Sequence, residues 1–305
     1  MRIEDISLAS IVESDCNPLH ADFYADAASQ ARVIVVENVQ LARDTYRIRF
    51  ECPEIARRIV PGQFLMLRLA GQNDPLLGRP LALYDTILNA TGQPHAIDVV
   101  YLTLGKMTHR LAYYRPGDEL EIWGPLGNGF PPLATDHLIM VAGGIGQTPF
   151  KALGQEYLGT RKYGAPSRNV PTAKRVTLCY GVRTSDLAAG VPDFQAAGID
   201  VRLSSDDGSL GHHGLVTDLL RELLAESCNE GTLVTCCGPE PMMHAVAEVC
   251  SNAGTRCLAS LETPMACGIG ICFSCVTKVR QPDGEWDWKR TCVEGPIFDA
   301  TKIEW

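Results

Sequence analysis

The chain has 305 residues, 46% hydrophobic and 21% charged, with 28 Gly and 19 Pro. That is the composition of a folded globular protein with room for two or three cores, and it excludes a disordered or fibrous chain. Its 27 basic and 36 acidic residues leave a net charge of −9, which argues against nucleic acid or an anionic membrane as the main partner.

No apolar run reaches the roughly 18 residues of a membrane span. The start, Met1-Arg2-Ile3-Glu4-Asp5, lacks the basic and then apolar character of a secretory signal, so the chain reads as cytoplasmic. Residues 1–31 show weak periodicity and form an extension to which no function is assigned; within it, 21–31 reads as a short helix or a loose segment.

From residue 32 the text is strand-like. Runs at 32–36, 45–50, 64–67, 81–84, 97–101 and 120–123, several of them separated by Pro61-Gly62 and Pro116-Gly117, predict a small antiparallel barrel over 32–133. The pattern then changes. Residues 138–142 are continuously apolar, as expected of a parallel strand covered on both faces, and lead into Gly143-Gly144-Ile145-Gly146-Gln147-Thr148-Pro149. Strand candidates at 176–180, 201–203 and 232–237, with a helix over 217–224, predict a doubly wound α/β domain over 134–255. A third, small domain occupies 256–305. There is no internal repeat.

Of the 12 cysteines, four cluster near the C-terminus as Cys267-x4-Cys272-x2-Cys275-x16-Cys292. The spacing suits plant-type [2Fe–2S] ligation, three thiolates on one loop and a fourth from a later segment. Gly268 and Gly270 would let that loop turn tightly and aim N–H groups at sulfur. A zinc site stays open, since Cys272-x2-Cys275 alone would serve it, and an inorganic sulfide assay separates the two. Cys16, Cys52, Cys179, Cys228, Cys250 and Cys257 read as small buried apolar residues.

Gly143, Gly144 and Gly146, with Thr148 beside them, form a strand-to-helix turn whose free N–H groups suit a pyrophosphate. A second turn, Cys237-Gly238-Pro239, ends a later strand of the same sheet, and ligands in such sheets sit outside the carboxyl ends of strands. Two such turns on one rim point to a nucleotide, and in a chain that also carries an iron–sulfur centre a reduced nicotinamide is the natural ligand. Hydride carries an electron pair whereas an iron–sulfur cluster accepts one electron, so a flavin is needed between them.

Arg79-Pro80-Leu81-Ala82-Leu83, followed by the Gly143 and Cys237 turns, resembles the ferredoxin-reductase superfamily, whose barrel binds FAD. The resemblance implies that Arg79 neutralises the flavin pyrophosphate and that Pro80, Leu81 and Ala82 lie along the flavin. Leu81 replaces a common aromatic there, and Ala82 a common hydroxyl near the flavin N5. Further segments narrow the match: Pro61-Gly62-Gln63-Phe64, Gly124 to Phe130, Asp206-Asp207-Gly208-Ser209, Met265 to Gly270, and Cys292 to Ala300. From residue 32 onward the chain is similar to the electron transfer subunit of class 1B dihydroorotate dehydrogenase. A second FAD contact region then falls on Val100, Tyr101, Leu102, Gly105, Met107 and Thr108, with Leu102 where Arg is common and Met107 where Gly is common.

The resemblance implies a relay from NAD(H) through FAD and a [2Fe–2S] cluster to a separate FMN-containing catalytic subunit that oxidises dihydroorotate. The expected assembly is a heterotetramer of two of each chain, with no catalytic residue for dihydroorotate in this one. Two rivals remain: a subunit of another NAD(P)H-dependent flavin and iron–sulfur oxidoreductase, of the ferredoxin:NADP oxidoreductase or sulfide dehydrogenase type, and a zinc-stabilised nucleotide-binding regulator without redox chemistry. Arg183 can contact a 2′-phosphate or face solvent. His212 and His213 read as a solvated turn.

Overall fold

The computed structural model describes residues 25–226 and 231–305. The extension up to residue 24, Cys16 and Cys228 lie outside the described residues.

Strands β1 (Ser29–Ala42), β2 (Thr45–Glu51), β3 (Phe64–Leu69), β4 (Arg79–Leu88), β5 (Pro94–Leu102) and β6 (Glu119–Leu126) close an antiparallel barrel in the order β1-β2-β5-β4-β3-β6. All six predicted strands are present. Alternation along them sends Ile48, Phe50, Leu65, Leu67, Ile97, Val99 and Ile122 into one fully buried core, each contributing about 1.5–3 kcal/mol. The barrel begins earlier than the sequence suggested: Ser29 pairs with Gly124 and Ala31 with Ile122, so 29–31 is strand, paired and not loose. Helices α1 (Pro53–Arg58) and α2 (Lys106–Leu111) fill two of the connections, and Pro at the first turn with Glu54 suits the start of α1.

The second layer is a seven-stranded sheet. Its strands are β7 (His137–Gly143), β8 (Arg175–Val182), β9 (Asp200–Ser205), β10 (His212–His213), β11 (Thr232–Cys237) and β12 (Arg256–Ser260). The hairpin β13 (Val276–Arg280) and β14 (Trp286–Arg290) stands apart, and β15 (Ile297–Asp299) returns to complete the sheet in the order β10-β9-β8-β7-β11-β12-β15. All pairs are parallel except β12 with β15. Helices α3 (Phe150–Tyr157), α4 (Val191–Ala196), α5 (Val216–Glu226) and α6 (Glu240–Asn252) cover the sheet. β12 and β15 both lie beyond residue 255, so the C-terminal segment is sewn into the parallel sheet. Chain order reverses between β7 and β11, the switch point at which open α/β sheets form a crevice.

One buried network fastens the layers together. Asp85 of β4 is 3% exposed; it accepts from the Tyr163 hydroxyl at 2.9 Å and from the Gln155 amide at 3.0 Å, and it pairs with Lys151 of α3. Burial alone would push the Asp85 carboxyl up, but the Lys151 ammonium outweighs it and holds the group below the usual carboxylate range. Every partner is satisfied, so the network fixes the angle between barrel and sheet.

Candidate functional site

A cavity of about 1080 Å³ lies between the barrel and the carboxyl ends of β7, β8 and β11. It exceeds the range of a single drug-sized ligand, roughly 300–1,000 Å³. The barrel wall carries Arg79, Pro80, Leu81 and Ala82 from β4, Val100, Tyr101 and Leu102 from β5, and Gly105 and Thr108 from the turn into α2. The sheet wall carries Gly143, Gly144, Gly146 and Thr148 on one turn and Cys237, Gly238 and Pro239 on the other. Residues singled out from separate segments of the sequence thus face one space.

Met107 differs. It is 1% exposed and packs in the barrel core beside Leu111, because the helical spacing of α2 turns that side chain inward. Its neighbour Thr108 uses its hydroxyl locally, accepting from the Leu104 and Gly105 N–H groups at 3.0 and 3.2 Å and so closing the turn. The Tyr101 hydroxyl donates to Asn38 at 3.0 Å and its ring stacks on Tyr46, so its polar end is already engaged. Arg79 donates to the carbonyls of Leu77 and Gly78 and has no carboxylate partner among the described residues.

The two glycine turns touch through backbone. Cys237 pairs with Ala142 at the ends of β11 and β7, and a Cβ on Gly146 would stand 2.2 Å from the Cys237 carbonyl oxygen. Only glycine permits that approach. Thr148 donates to the Ile145 carbonyl at 2.7 Å, tightening the same turn. Burial pushes the Cys237 thiol up to about 12, so it faces the cavity as a neutral, compact group.

The four clustered cysteines sit in two pairs. Cys275 and Cys292 Sγ atoms lie 3.2 Å apart, both buried, and Cys267 hydrogen-bonds Cys272. Among the described residues no three His, Cys, Asp or Glu side chains gather closely enough to hold a single metal ion. A mononuclear zinc site needs four ligands converging on one point, whereas a [2Fe–2S] cluster takes two thiolates on each of two irons. The donor set therefore fits the binuclear cluster. The Cys292 hydrogen bond brings the Cys275 thiol down to about 6; burial works against Cys272, but bonds from Ser274 and Cys267 outweigh it and bring that thiol to about 6 as well. Gly268 has φ +73 and a Cβ there would stand 2.5 Å from Met66 Cγ, so the loop can close on β3 only as glycine. Trp123 of β6 donates to the Cys267 carbonyl at 2.9 Å.

Further residues complete the lining, some of them quoted from the sequence only as parts of motifs. Phe64, 4% exposed, lines the cavity and packs with Met66, Leu126, Cys275, Cys292 and Val293 in a single apolar cluster. Leu261, Glu262 and Thr263, which no spacing marks, and Met265, the first residue of the segment quoted up to Gly270, also line the cavity between β12 and the cysteine loop. Arg183 and Asp206, at the ends of β8 and β9, stand on the same wall. His212 lies 3.4 Å from Asp218 in the short β10, outside the cavity lining.

Barrel, nucleotide sheet and cysteine domain together define an NAD-linked flavoprotein oxidoreductase with an iron–sulfur centre. Residues 32–130 match the model of the oxidoreductase FAD-binding domain, 140–248 that of the oxidoreductase NAD-binding domain, and 262–304 that of the iron-sulfur cluster binding domain of dihydroorotate dehydrogenase B. The chain is 34% identical over 287 residues, 90% of its own length and 97% of the relative's, to the dihydroorotate dehydrogenase B (NAD(+)) electron transfer subunit of Desulforamulus reducens. The subunit of the same name from Geobacillus kaustophilus is 34% identical over 275 residues, 89% of this chain and 97% of that one. A solved structure of an NADH-dependent reduced ferredoxin-NADP oxidoreductase, described for flavin-based electron bifurcation, superposes with a TM-score of 0.74 at 26% identity over 90% of each chain. The chain belongs to the family of dihydroorotate dehydrogenase B electron transfer subunits. No helix among the described residues is long and apolar enough to cross a membrane.

Proposed function

We propose that the chain carries reducing equivalents between NAD(H) and a separate FMN-containing subunit that oxidises dihydroorotate, in pyrimidine biosynthesis, within a heterotetramer of two of each chain. The bound groups, FAD and a [2Fe–2S] cluster, supply the conversion between a hydride's electron pair and single electrons. The chain's own residues position, shield and discharge. Arg79, without a carboxylate partner among the described residues, offers a guanidinium fork to the flavin pyrophosphate. The backbone of Pro80, Leu81 and Ala82, with Val100, Tyr101, Leu102, Gly105 and Thr108, shapes the flavin wall. Gly143, Gly144, Gly146 and Thr148 take the dinucleotide phosphates at the start of the following turn, and Cys237, Gly238 and Pro239 crowd the nicotinamide end. Asp206 presents a carboxylate that suits a ribose diol and opposes a 2′-phosphate, which favours NAD(H) over NADP(H) despite Arg183 nearby. Cys267 and Cys272 hold one iron, Cys275 and Cys292 the other.

One observation carries this reading: Phe64 belongs both to the cavity wall and to the apolar cluster around Cys275 and Cys292. A packed apolar path therefore joins the cavity to the buried cysteine pair. The test is co-expression with FMN subunits of the same genome, followed by assay of NADH formation on adding dihydroorotate. NADH should form with one such partner. Failure with every dihydroorotate dehydrogenase-like partner would move the chain to the second reading, a subunit of another NAD(P)H-dependent flavin and iron–sulfur oxidoreductase, which the 0.74 TM-score superposition favours.

A further inference from the structure

The hairpin β13–β14 links two of the cluster cysteines: β13 starts at Val276, directly after Cys275, and β14 ends at Arg290, two residues before Cys292. Its register pairs Lys278 with Trp288, Arg280 with Trp286 and Val276 with Arg290. Strand alternation puts Lys278, Arg280, Trp286, Trp288 and Arg290 on one face. The other face is used internally, where Val279, 7% exposed, bridges to Ile303.

The outer face is open at its indoles and closed at Arg290, which is 5% exposed. Trp286 and Trp288 are 46% and 49% exposed, and their rings meet edge-on at 5.6 Å. Lys278 Nζ stands 4.2 Å and 5.4 Å from the two ring centres, a cation–π clamp that holds both indoles upright. Farther along, the Arg290 guanidinium lies 5.0 Å over Phe273 and donates to the Gly270 carbonyl at 3.1 Å. Phe273 is 52% exposed and Ile271 65%, and they flank Cys272, the exposed member of the ligand set. Phe273 also has φ 55, a conformation that costs a phenylalanine and keeps its ring on the surface. Exposed aromatic side chains therefore stand at both ends of this strip, Trp286 and Trp288 on the hairpin and Phe273, over Arg290, on the loop that holds the cluster.

The ionised side chains of this face are cations, and two of the three are neutralised by the chain's own carboxylates. Lys278, Arg280 and Arg290 are its ionised side chains, while Asp287 and Lys289 alternate to the other face. Arg280 and Arg290 pair with Glu304 and Glu294; Lys278 has no carboxylate partner among the described residues. In a chain of net charge −9, the exposed indoles and the one cation left without a carboxylate, Lys278, suit an apolar partner surface that sets a carboxylate opposite that ammonium. Contiguous exposed apolar patches mark interaction sites, and preformed Trp anchors lose little freedom on docking.

Resting on the functional reading above, we propose that this strip docks the FMN-containing catalytic subunit, through an apolar patch rimmed by carboxylates beside that subunit's own redox centre. The indole ridge supplies the anchor, and the loop at its end brings the cluster edge against the partner. Attachment of the ridge to Cys275 and Cys292 makes docking and electron delivery one rigid geometry.

The test uses the full chain loaded with FAD and cluster, titrated with the separately purified FMN subunit of the same organism. Ferricyanide reduction by NADH and the visible spectrum of the cluster serve as readouts that need no partner. The double variant Trp286→Ser, Trp288→Ser should weaken binding about tenfold or more with both readouts unchanged, and Trp286→Phe, Trp288→Phe should restore most of the affinity. Lys278→Glu should also weaken binding and flatten its salt dependence. Wild-type affinity in the Ser variant would overturn the proposal, as would loss of self-association in that variant without loss of partner binding, which would assign the face to a second copy of this chain. If the wild-type chain itself fails to bind the FMN subunit, the functional reading falls, and this proposal with it.

Discussion

Two groups of cysteines in this chain share a residue type and little else. Cys236, Cys250 and Cys257 are fully buried between α6 and the parallel sheet, where they hydrogen-bond one another; the bond to Cys257 and burial push the Cys250 thiol far up, and burial takes Cys179 nearby to about 12. In the Cys267–Cys292 group three thiols sit on a glycine-bearing loop and the fourth beyond the hairpin; hydroxyl and thiol donors bring Cys272 and Cys275 down to about 6, while the bond to Cys275 and burial push the Cys292 thiol far up. Proximity of sulfurs is common to both. What separates the two groups is a hydroxyl partner, Ser274 at Cys272, and one member, Cys272, that reaches the surface.

The contrast can be broken most sharply at Cys292. A Cys292→Ser chain should keep FAD and its NADH–ferricyanide activity but lose transfer to the partner subunit by on the order of 100-fold or more; an unchanged partner-dependent rate would remove the cluster from the pathway. Next in size is Gly146→Ala, which forces a methyl against the Cys237 carbonyl. It should cost about 1–3 kcal/mol of stability and raise the KM for NAD(H) about tenfold, while leaving the cluster spectrum intact.

A pH effect of intermediate size comes from His137, 8% exposed at the base of β7 and 2.9 Å from Thr177 Oγ1. Burial, with Arg175 nearby, lowers its imidazole to about 4, below the roughly 6.5 of an unfolded histidine. The unfolded chain therefore binds the proton more readily. The stability due to neutral His137 is complete above about pH 6.5 and is lost as the pH falls towards 4, by on the order of 2–3 kcal/mol. Denaturant titrations across that range should show the loss in the wild type and a flatter profile in His137→Gln. The smallest effect belongs to the inert group: Cys250→Ala should cost ~1 kcal/mol with no change in cluster content or electron transfer, and a lost cluster signal there would erase the distinction between the two sets of thiols.

Much of this organisation is written locally. The six barrel strands and the core strands of the parallel sheet alternate or run apolar as their burial requires, and Pro61-Gly62 and Pro116-Gly117 mark turns that exist. The helix expected over 217–224 spans Val216–Glu226. Both glycine turns are legible because tight backbone approach demands glycine. β12 and β15 were not legible: Arg-Cys-Leu-Ala-Ser and Ile-Phe-Asp are too short to carry a period, and only the finished sheet pairs them. The same holds for the network of Asp85, Lys151, Gln155 and Tyr163, which joins residues up to 78 positions apart. At Met107 the motif position fixes the backbone, whereas the helical rotation of α2, which the motif does not reveal, sends the side chain into the barrel core. Within the site, Phe64 was visible only as part of a motif; its place between the cavity and the cysteine pair depends on the loop at Gly268 folding back onto β3.

The most direct measurement is anaerobic reduction of the isolated, FAD- and cluster-loaded chain by NADH, followed by visible and electron paramagnetic resonance spectroscopy. Conversion of paired into single electrons predicts bleaching of the flavin together with the appearance of a paramagnetic iron–sulfur signal. A chain that bleaches its flavin yet stays silent, even with dithionite, would contradict it.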